Sequence, residues 1–325
     1  MSADKDWQKN YPSTEEVTLE SLDDNSSLKK MLDLVGEGKE VVEFGCATGY
    51  FSNLLQKKGC TVTGVEINVE AAKVAEKYCQ QVIVADLDFV SVREILPVQK
   101  FDIAMFGDIL EHLRNPWKIL AETKEILKED GYVIASIPNI AHAAIRLSLL
   151  QGRFDYTDFG ILDNTHIRFF TRKTVKELFI KAGYLADIVD CTKLDSFSES
   201  HLIPQNTRSE FNIETIERIE EDEDCDTLQF IIRSYPCSQA QLQQTQAGLE
   251  QSQTQLHQTQ SELERSQAQL HQTQADLEQS QAQLHQSQAE LASSQSKLNT
   301  ERDKVMLMES SKFEKLRKIW INLRR

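Results

Sequence analysis

The stretch 41-VVEFGCATGYFS-52 runs from an apolar segment into Glu43 and then through Gly45, Ala47 and Gly49. Glycine between a strand and a helix makes a tight turn that a ligand can approach, with a helix N-terminus behind it. That is nucleotide-binding chemistry. A dinucleotide turn of the G-x-G-x-x-G type also needs glycine at 47 and 50. Ala47 and Tyr50 stand there, so only Gly45 matches that template. Acidic residues recur further on, at Glu66 in GVEIN and Asp86 in ADLDF. Three histidines outside the later repeats sit where a general base is wanted: His112 in ILEHL, His142 in PNIAH and His166 in NTHIRF. Imidazole is the natural base because it titrates near neutral pH.

These residues need elements to position them, and the pattern of residues 1–236 supplies them. Strand-like apolar runs fall at 40–44, 61–66, 82–85, 101–106 and 131–138, with helical patterns between them at 49–59, 69–78, 91–96 and 116–129. This alternation predicts a doubly wound, mostly parallel sheet with helices on both faces. Strands around 184–190 and 227–234 complete it to seven, and the acidic segment 191–226 between them reads as an exposed insertion. Ligands of such sheets bind outside the carboxyl ends of the strands. The chemically interesting residues cluster at those ends.

Composition narrows the function classes. The 325 residues carry 36 Lys+Arg against 51 Asp+Glu, a formal charge of -15, which disfavours nucleic acid as a partner. None of the six cysteines forms a C-x-x-C pair, so neither a metal site nor a disulfide framework is expected. The N-terminal segment has no apolar core of the signal-peptide kind. The most apolar long window, 133–150, contains Pro138, Asn139, His142 and Arg146, unlike a membrane span. A soluble, cytoplasmic protein is expected.

Glu43, Gly45 and Gly49 fit a different template, acidic-x-G-x-G-x-G, with Ala47 at the middle glycine. With the acidic strand ends that follow in order, the chain resembles the class I S-adenosylmethionine-dependent methyltransferases, a Rossmann-like α/β fold, over roughly residues 20–236. The resemblance implies S-adenosyl-L-methionine as cofactor. It assigns Glu43, Gly45, Ala47 and Gly49 to the donor turn, and Glu66 with Ile67 to the ribose. Asp86 with Leu87 goes to the adenine, and Gly107 with Asp108 to the mouth of the cleft, where Leu110, Glu111 and His112 follow. Ala47 fits if its dihedrals are ordinary and only close approach is needed. The segment 138–171 resembles a subgroup found with glycan and polysaccharide biosynthesis proteins, and the LEH motif resembles ubiquinone-pathway O-methyltransferases more loosely. The resemblance implies O-methylation of a sugar or glycan intermediate. The alternatives are a cytosolic small-molecule O-methyltransferase and a scaffold without turnover. His142 and His166 are the stronger bases, lying where this fold adds its acceptor site. Arg146, Arg153, Tyr156 and Arg168 either contact an acidic acceptor or serve the surface and its ion pairs.

The composition changes near residue 237. Leucines recur every seven residues from 242 to 298, with Gln three residues before each from 249 onward. A strict seven-residue period predicts a long helix that self-associates as a coiled coil, weakened by the glutamines. The competing reading is a Gln/Ser-rich spacer. His257, His271 and His285 lie 14 residues apart and read as repeat residues. The last segment, 310–325, sets Phe313, Leu316, Trp320 and Leu323 on one helical face among Lys and Arg. It predicts peripheral contact with an anionic membrane face or docking to a partner protein. The expected divisions are therefore 1–24, 25–236, 237–300 and 301–325.

Overall fold

The structure, a computed structural model, describes residues 17–97, 100–237 and 239–323. Most of the expected extension 1–24, and Arg324 and Arg325 of the expected basic tail, lie outside the described residues. The chain forms two compact units, Met1–Thr245 and Gln246–Arg325.

The first unit holds one seven-stranded sheet: β1 (Glu40–Phe44), β2 (Thr61–Glu66), β3 (Gln81–Val84), β4 (Phe101–Gly107), β5 (Leu127–Pro138), β6 (Tyr184–Lys193) and β7 (Thr227–Pro236). Their order is β3-β2-β1-β4-β5-β7-β6. Pairing is parallel through β5, and β7 runs antiparallel to both neighbours. The chain runs outward from β1 to β3, returns, and runs the other way from β4, so the switch point lies between β1 and β4. In sheets of this kind ligands bind outside the carboxyl ends of the strands at that point.

Strand residues alternate between two cores, as the two-residue period requires. Val41, Ile103 and Met105 pack with α1 (Ser27–Val35) and α2 (Tyr50–Lys57). Val42, Ala104 and Phe106 pack on the other face with α4 (Val92–Ile95), α5 (Pro116–Thr123) and α7 (Arg172–Lys181). Between these elements lie α3 (Val69–Ala75), α6 (Ala143–Leu150) and α8 (Ile213–Glu220).

Two expectations change. The helix expected over 116–129 ends at Thr123, and β5 already begins at Leu127. Thr123 turns its hydroxyl back onto the Ile119 carbonyl, while Lys128 on β5 is drawn to Asp102 on β4 and Glu40 on β1. The acidic segment 191–226 is also more than an exposed insertion. It contains α8, whose Ile216 and Ile219 are buried, and it buries Asp224. The Arg172 guanidinium grips both Asp224 oxygens and holds that carboxyl below the usual carboxylate range. The Asp224 backbone carbonyl accepts from Asn139 Nδ2 at 3.2 Å, tying the segment to the end of β5.

The second unit is dominated by α9 (Gln239–Leu323), one helix of 85 residues, about 130 Å long at 1.5 Å per residue. It runs without a break through the division expected at 300. The leucines from Leu256 to Leu298 are all exposed, at 57–70%. Hydroxyls of the repeat, such as Ser252, Thr259, Thr273 and Ser280, fold back onto carbonyls four residues earlier. Among the described residues no helix is long and apolar enough to cross a membrane.

Removing one partner of a largely buried ion pair strands the other. Asp224→Ala is therefore expected to cost about 3 kcal/mol in urea denaturation, the low end for such pairs because Arg172 is part-exposed. A loss under 1 kcal/mol would show that the 191–226 segment is not anchored through this contact.

Candidate active site

The donor turn enters the left-handed region at three positions, two of them glycines. Gly45 has φ 75° and Gly49 φ 77°, both in the left-handed region. A Cβ on Gly49 would lie 2.9 Å from the Ala75 backbone, and one on Gly45 would lie 2.8 Å from Ile109 Cδ1. Ala47 also lies in the left-handed region, at φ 49°. The expectation of ordinary dihedrals at Ala47 is therefore corrected. The residue stands in a glycine conformation, which costs an L-residue about 1–2 kcal/mol.

What holds Ala47 there is Glu66. Its Oε2 accepts the Ala47 N–H at 2.8 Å and its Oε1 accepts the Asn68 N–H at 2.8 Å. Asn68 in turn caps α3 through the Glu70 and Ala71 N–H groups. Glu43 lies behind the turn. Its carboxyl accepts from Ser52 on α2, and Cys79 Sγ lies 3.2 Å from that hydroxyl. Burial pushes Glu43 up to about 8, against the opposing pull of the Ser52 hydroxyl. A Cβ on Gly64 of β2 would lie 2.6 Å from Cys46 Sγ and 3.2 Å from Cys79 Sγ, so both thiols pack behind the same turn.

The remaining donor positions are spread along the strand ends. Ile67 is half-buried between Glu66 and the α3 cap. Asp86 Oδ1 accepts the Asp88 N–H, whereas the Leu87 side chain is packed into the core. Gly107 ends β4. Asp108 follows it at φ 52°, and among the described residues only Ala47 and Asp108 are non-glycine residues with positive φ. Strain of this kind concentrates at functional sites. Both residues flank the switch-point crevice. Asp108 is held by Ser136 Oγ at 2.9 Å and Gln229 Nε2 at 2.7 Å, two residues the sequence reading did not pick out. Ser136 was within reach, since it pairs with Gly107 in the β4–β5 register.

The histidines separate by their partners. His142 is fully buried and caps α6: Nδ1 accepts the Ala144 N–H and Nε2 donates to the Leu194 carbonyl at 2.9 Å. Burial pushes its imidazole below its ordinary range. With both nitrogens committed it cannot serve as a base, which corrects that expectation. His112 and His166 instead come together, with ring centroids 4.7 Å apart. His166 Nε2 lies 3.9 Å from Glu111 Oε1. The loop carrying His166 is stitched to the 3-10 turn Leu110–His112, because Ile167 and Arg168 both donate to the Glu111 carbonyl. His166 is buried and His112 half-buried, so His112 is the member nearer solvent.

An aromatic path leads outward from this cluster. Phe169 lies 6.4 Å from the His166 ring, Phe154 lies 5.9 Å from Phe169, and Tyr156 lies 5.6 Å from Phe154. Tyr156 is exposed. The candidate arginines are used structurally: Arg146 pairs with Asp222, Arg153 binds Gln151 and Asn206, and Arg168 donates to the Arg114 carbonyl over the Trp117 ring.

A family profile described as a methyltransferase domain matches residues 22–186, just over half of the chain. The chain belongs to this methyltransferase family, whose methyl donor is S-adenosyl-L-methionine. Ubiquinone biosynthesis O-methyltransferases of Glaesserella parasuis and Actinobacillus pleuropneumoniae are 32% and 30% identical over 36% of this chain, and the matches cover 52% and 53% of those proteins. The chain thus spans about half the length of the curated relatives it matches. A SAM-dependent methyltransferase of Archaeoglobus fulgidus is similar at 20% identity and TM-score 0.45, over 65% of this chain and 91% of that one. The magnesium protoporphyrin IX methyltransferase of Synechocystis, solved with bound SAH, is similar at 13% identity and TM-score 0.44, over 65% of this chain and 83% of that one.

The donor residues fit that cofactor. A carboxylate has about four lone-pair sites. Backbone N–H groups take one on each Glu66 oxygen, leaving acceptors for a ribose diol. The acidic side chains of Glu66, Asp86 and Asp108 around the crevice suit a cationic sulfonium.

Two outcomes follow. A carboxyl raised above its unfolded value stabilises the fold fully below about 4.5 and loses that contribution as pH rises through about 8. Glu43→Gln should therefore melt near the wild-type temperature at pH 4.5 and progressively above it as pH rises toward about 8, the gap levelling off beyond that; parallel melting curves across that range would contradict the assignment. Glu66→Ala leaves the buried Ala47 N–H without an acceptor, at about 1–3 kcal/mol. It should lower the melting temperature and weaken S-adenosylmethionine binding at least tenfold by calorimetry, whereas cofactor binding equal to the parent would refute the site.

Proposed function

We propose that the protein is an S-adenosyl-L-methionine-dependent O-methyltransferase acting on a hydroxyl of a sugar or glycan intermediate. The cofactor supplies an electrophilic methyl group on a sulfonium. The protein's part is alignment and proton removal. The strand ends of β1, β2 and β4 fix the donor side. The acceptor hydroxyl gives up its proton at the Glu111–His112–His166 cluster as its oxygen takes the methyl group.

The observation supporting a sugar is the segment 153-RFDYTDFG-160. Phe154, Tyr156 and Phe159 are exposed at 38%, 56% and 45%, and exposed Asp155 and Asp158 alternate with them. Aromatic faces suit the C–H face of a pyranose, and carboxylates accept from its hydroxyls. The aromatic path then leads to the cluster. A phenolic acceptor is the second reading, favoured by the ubiquinone-pathway names of the curated relatives.

On this reading α9 joins copies of the chain through its exposed leucine ladder. Its end carries Phe313, Leu316, Ile319 and Trp320 among Lys312, Lys315, Arg317 and Lys318, a composition suited to an anionic lipid surface near a lipid-linked acceptor.

Labelled S-adenosylmethionine offered with lipid-linked oligosaccharides and with polyhydroxylated phenols separates the readings. Label should enter the oligosaccharide, and Tyr156→Ala should raise its KM about tenfold, the loss of one stacking contact of about 1.4 kcal/mol. Label in the phenol alone would replace the first reading with the second.

A further inference from the structure

Two cysteines that methyl transfer does not use lie behind the donor turn. Cys46 follows β1 and Cys79 precedes β3, and β2 runs between those strands. At this level β2 carries Gly64, which pairs with Glu43 of β1 and Val82 of β3. A Cβ on Gly64 would lie 2.6 Å from Cys46 Sγ and 3.2 Å from Cys79 Sγ. The space left by the missing side chain is where the two sulfurs meet, and the thiols hydrogen-bond to each other there.

The two thiols are not equivalent. The hydrogen bond from Cys46 holds the Cys79 thiol below the ordinary thiol range against the opposing effect of burial, with help from Ser52 and the Gly64 backbone. Cys46 is pushed up, first by its bond to Cys79 and then by burial. Cys79 is also the member nearer solvent, 8% exposed against 1% for Cys46. A thiolate-favoured sulfur beside a protonated thiol is the arrangement of an attacking cysteine and its resolving partner.

We propose that Cys46 and Cys79 form a redox switch on the donor site, closed to a disulfide by hydrogen peroxide and reopened by a dithiol. The Cys79 thiolate attacks one peroxide oxygen and the O–O bond breaks. The departing hydroxide takes up the proton that Cys79 lost and leaves as water. The Cys46 sulfur then attacks the sulfenic sulfur of Cys79. The S–S bond forms, the S–O bond breaks, and the hydroxide leaves with the Cys46 proton as a second water. The thiols are oxidised by two electrons, and the peroxide is reduced to water.

An S–S bond of about 2.05 Å is much shorter than a contact between two thiols, so the sulfurs must approach each other. Cys46 adjoins Ala47, whose N–H is fixed on Glu66. Gly49 already sits against α3, where a Cβ would lie 2.9 Å from the Ala75 Cα. The turn therefore has no room to move toward α3 as a body. Closing the bond rotates the Cys46–Ala47 peptide away from Glu66 and distorts the donor turn. A cofactor that binds the undistorted turn opposes closure to the same extent. The switch rests on the donor site alone and is the same for a sugar or a phenolic acceptor.

The test treats the full chain with hydrogen peroxide and digests it without reduction. Mass spectrometry should show peptides joined through Cys46 and Cys79, lighter by two hydrogen atoms than their reduced parts. S-adenosylmethionine binding by calorimetry should weaken at least tenfold and return with dithiothreitol. In a buffer of reduced and oxidised glutathione, saturating cofactor should raise the ratio of reduced to disulfide form at least tenfold. Cys79→Ala should bind the cofactor like the parent and lose the response to peroxide, which separates this pair from the other four cysteines. Cys79→Ser serves the same purpose if that variant does not fold. Treated protein in which both thiols still alkylate, or in which Cys79 stops at a sulfinic acid, overturns the pair. A Cys46–Cys79 disulfide with unchanged cofactor binding, or a peroxide response that survives in the Cys79 variant, overturns the switch.

Discussion

The hydrogen bond from the Ala47 N–H to Glu66 is the constraint on which the donor side depends. It joins the turn after β1 to the end of β2, and it holds an alanine at φ 49°. The magnitudes explain why this works. The left-handed conformation costs about 1–2 kcal/mol, and a hydrogen bond to a charged acceptor contributes about 1.5–3 kcal/mol. A single carboxylate therefore suffices to keep alanine where glycine is the easier choice. The same carboxylate also accepts the Asn68 N–H, so the turn after β1 and the start of α3 are tied to one side chain. Glu43 completes the arrangement from behind, as a buried acid bonded to Ser52 rather than as an exposed ligand.

The acceptor side is organised on a different principle. Among the described residues no non-glycine residue there has positive φ; the loop bearing His166 is placed by two backbone N–H groups on one carbonyl, that of Glu111. Side chains that a linear reading would offer to a substrate are spent on structure. Arg146 and Arg153 pin the loops around α6, and Arg168 lies over Trp117. What stays exposed in the segment 153–160 is aromatic and acidic.

Much of this was legible in the sequence because parallel strands buried on both faces read as short apolar runs. β1 and β2 fall where the pattern puts them, and the residues at their ends follow from the topology. The failures have local causes. Nothing in the pattern 116–129 marks Thr123 as the end, because the stop is made where Leu127 enters the sheet opposite Phe101 and Lys128 reaches across it. His142 looked like a base because its partner, the Leu194 carbonyl, is 52 residues away and contributed by backbone. The meeting of His112 with His166 was hidden for the same reason, since backbone bonds over 50 residues apart leave no residue-type signature. The segment 191–226 concealed α8 because its buried isoleucines are few against its acidic surface.

The long helix has a property that belongs to heredity rather than to folding. Each unit of the repeat between residues 256 and 290 carries its leucines at the same phase and contains no proline. Loss or gain of one 14-residue unit by replication slippage alters the helix by about 21 Å. It leaves every remaining leucine on the same stripe, because 14 is two sevens. The length of this helix can thus change between generations while its leucine stripe keeps its phase.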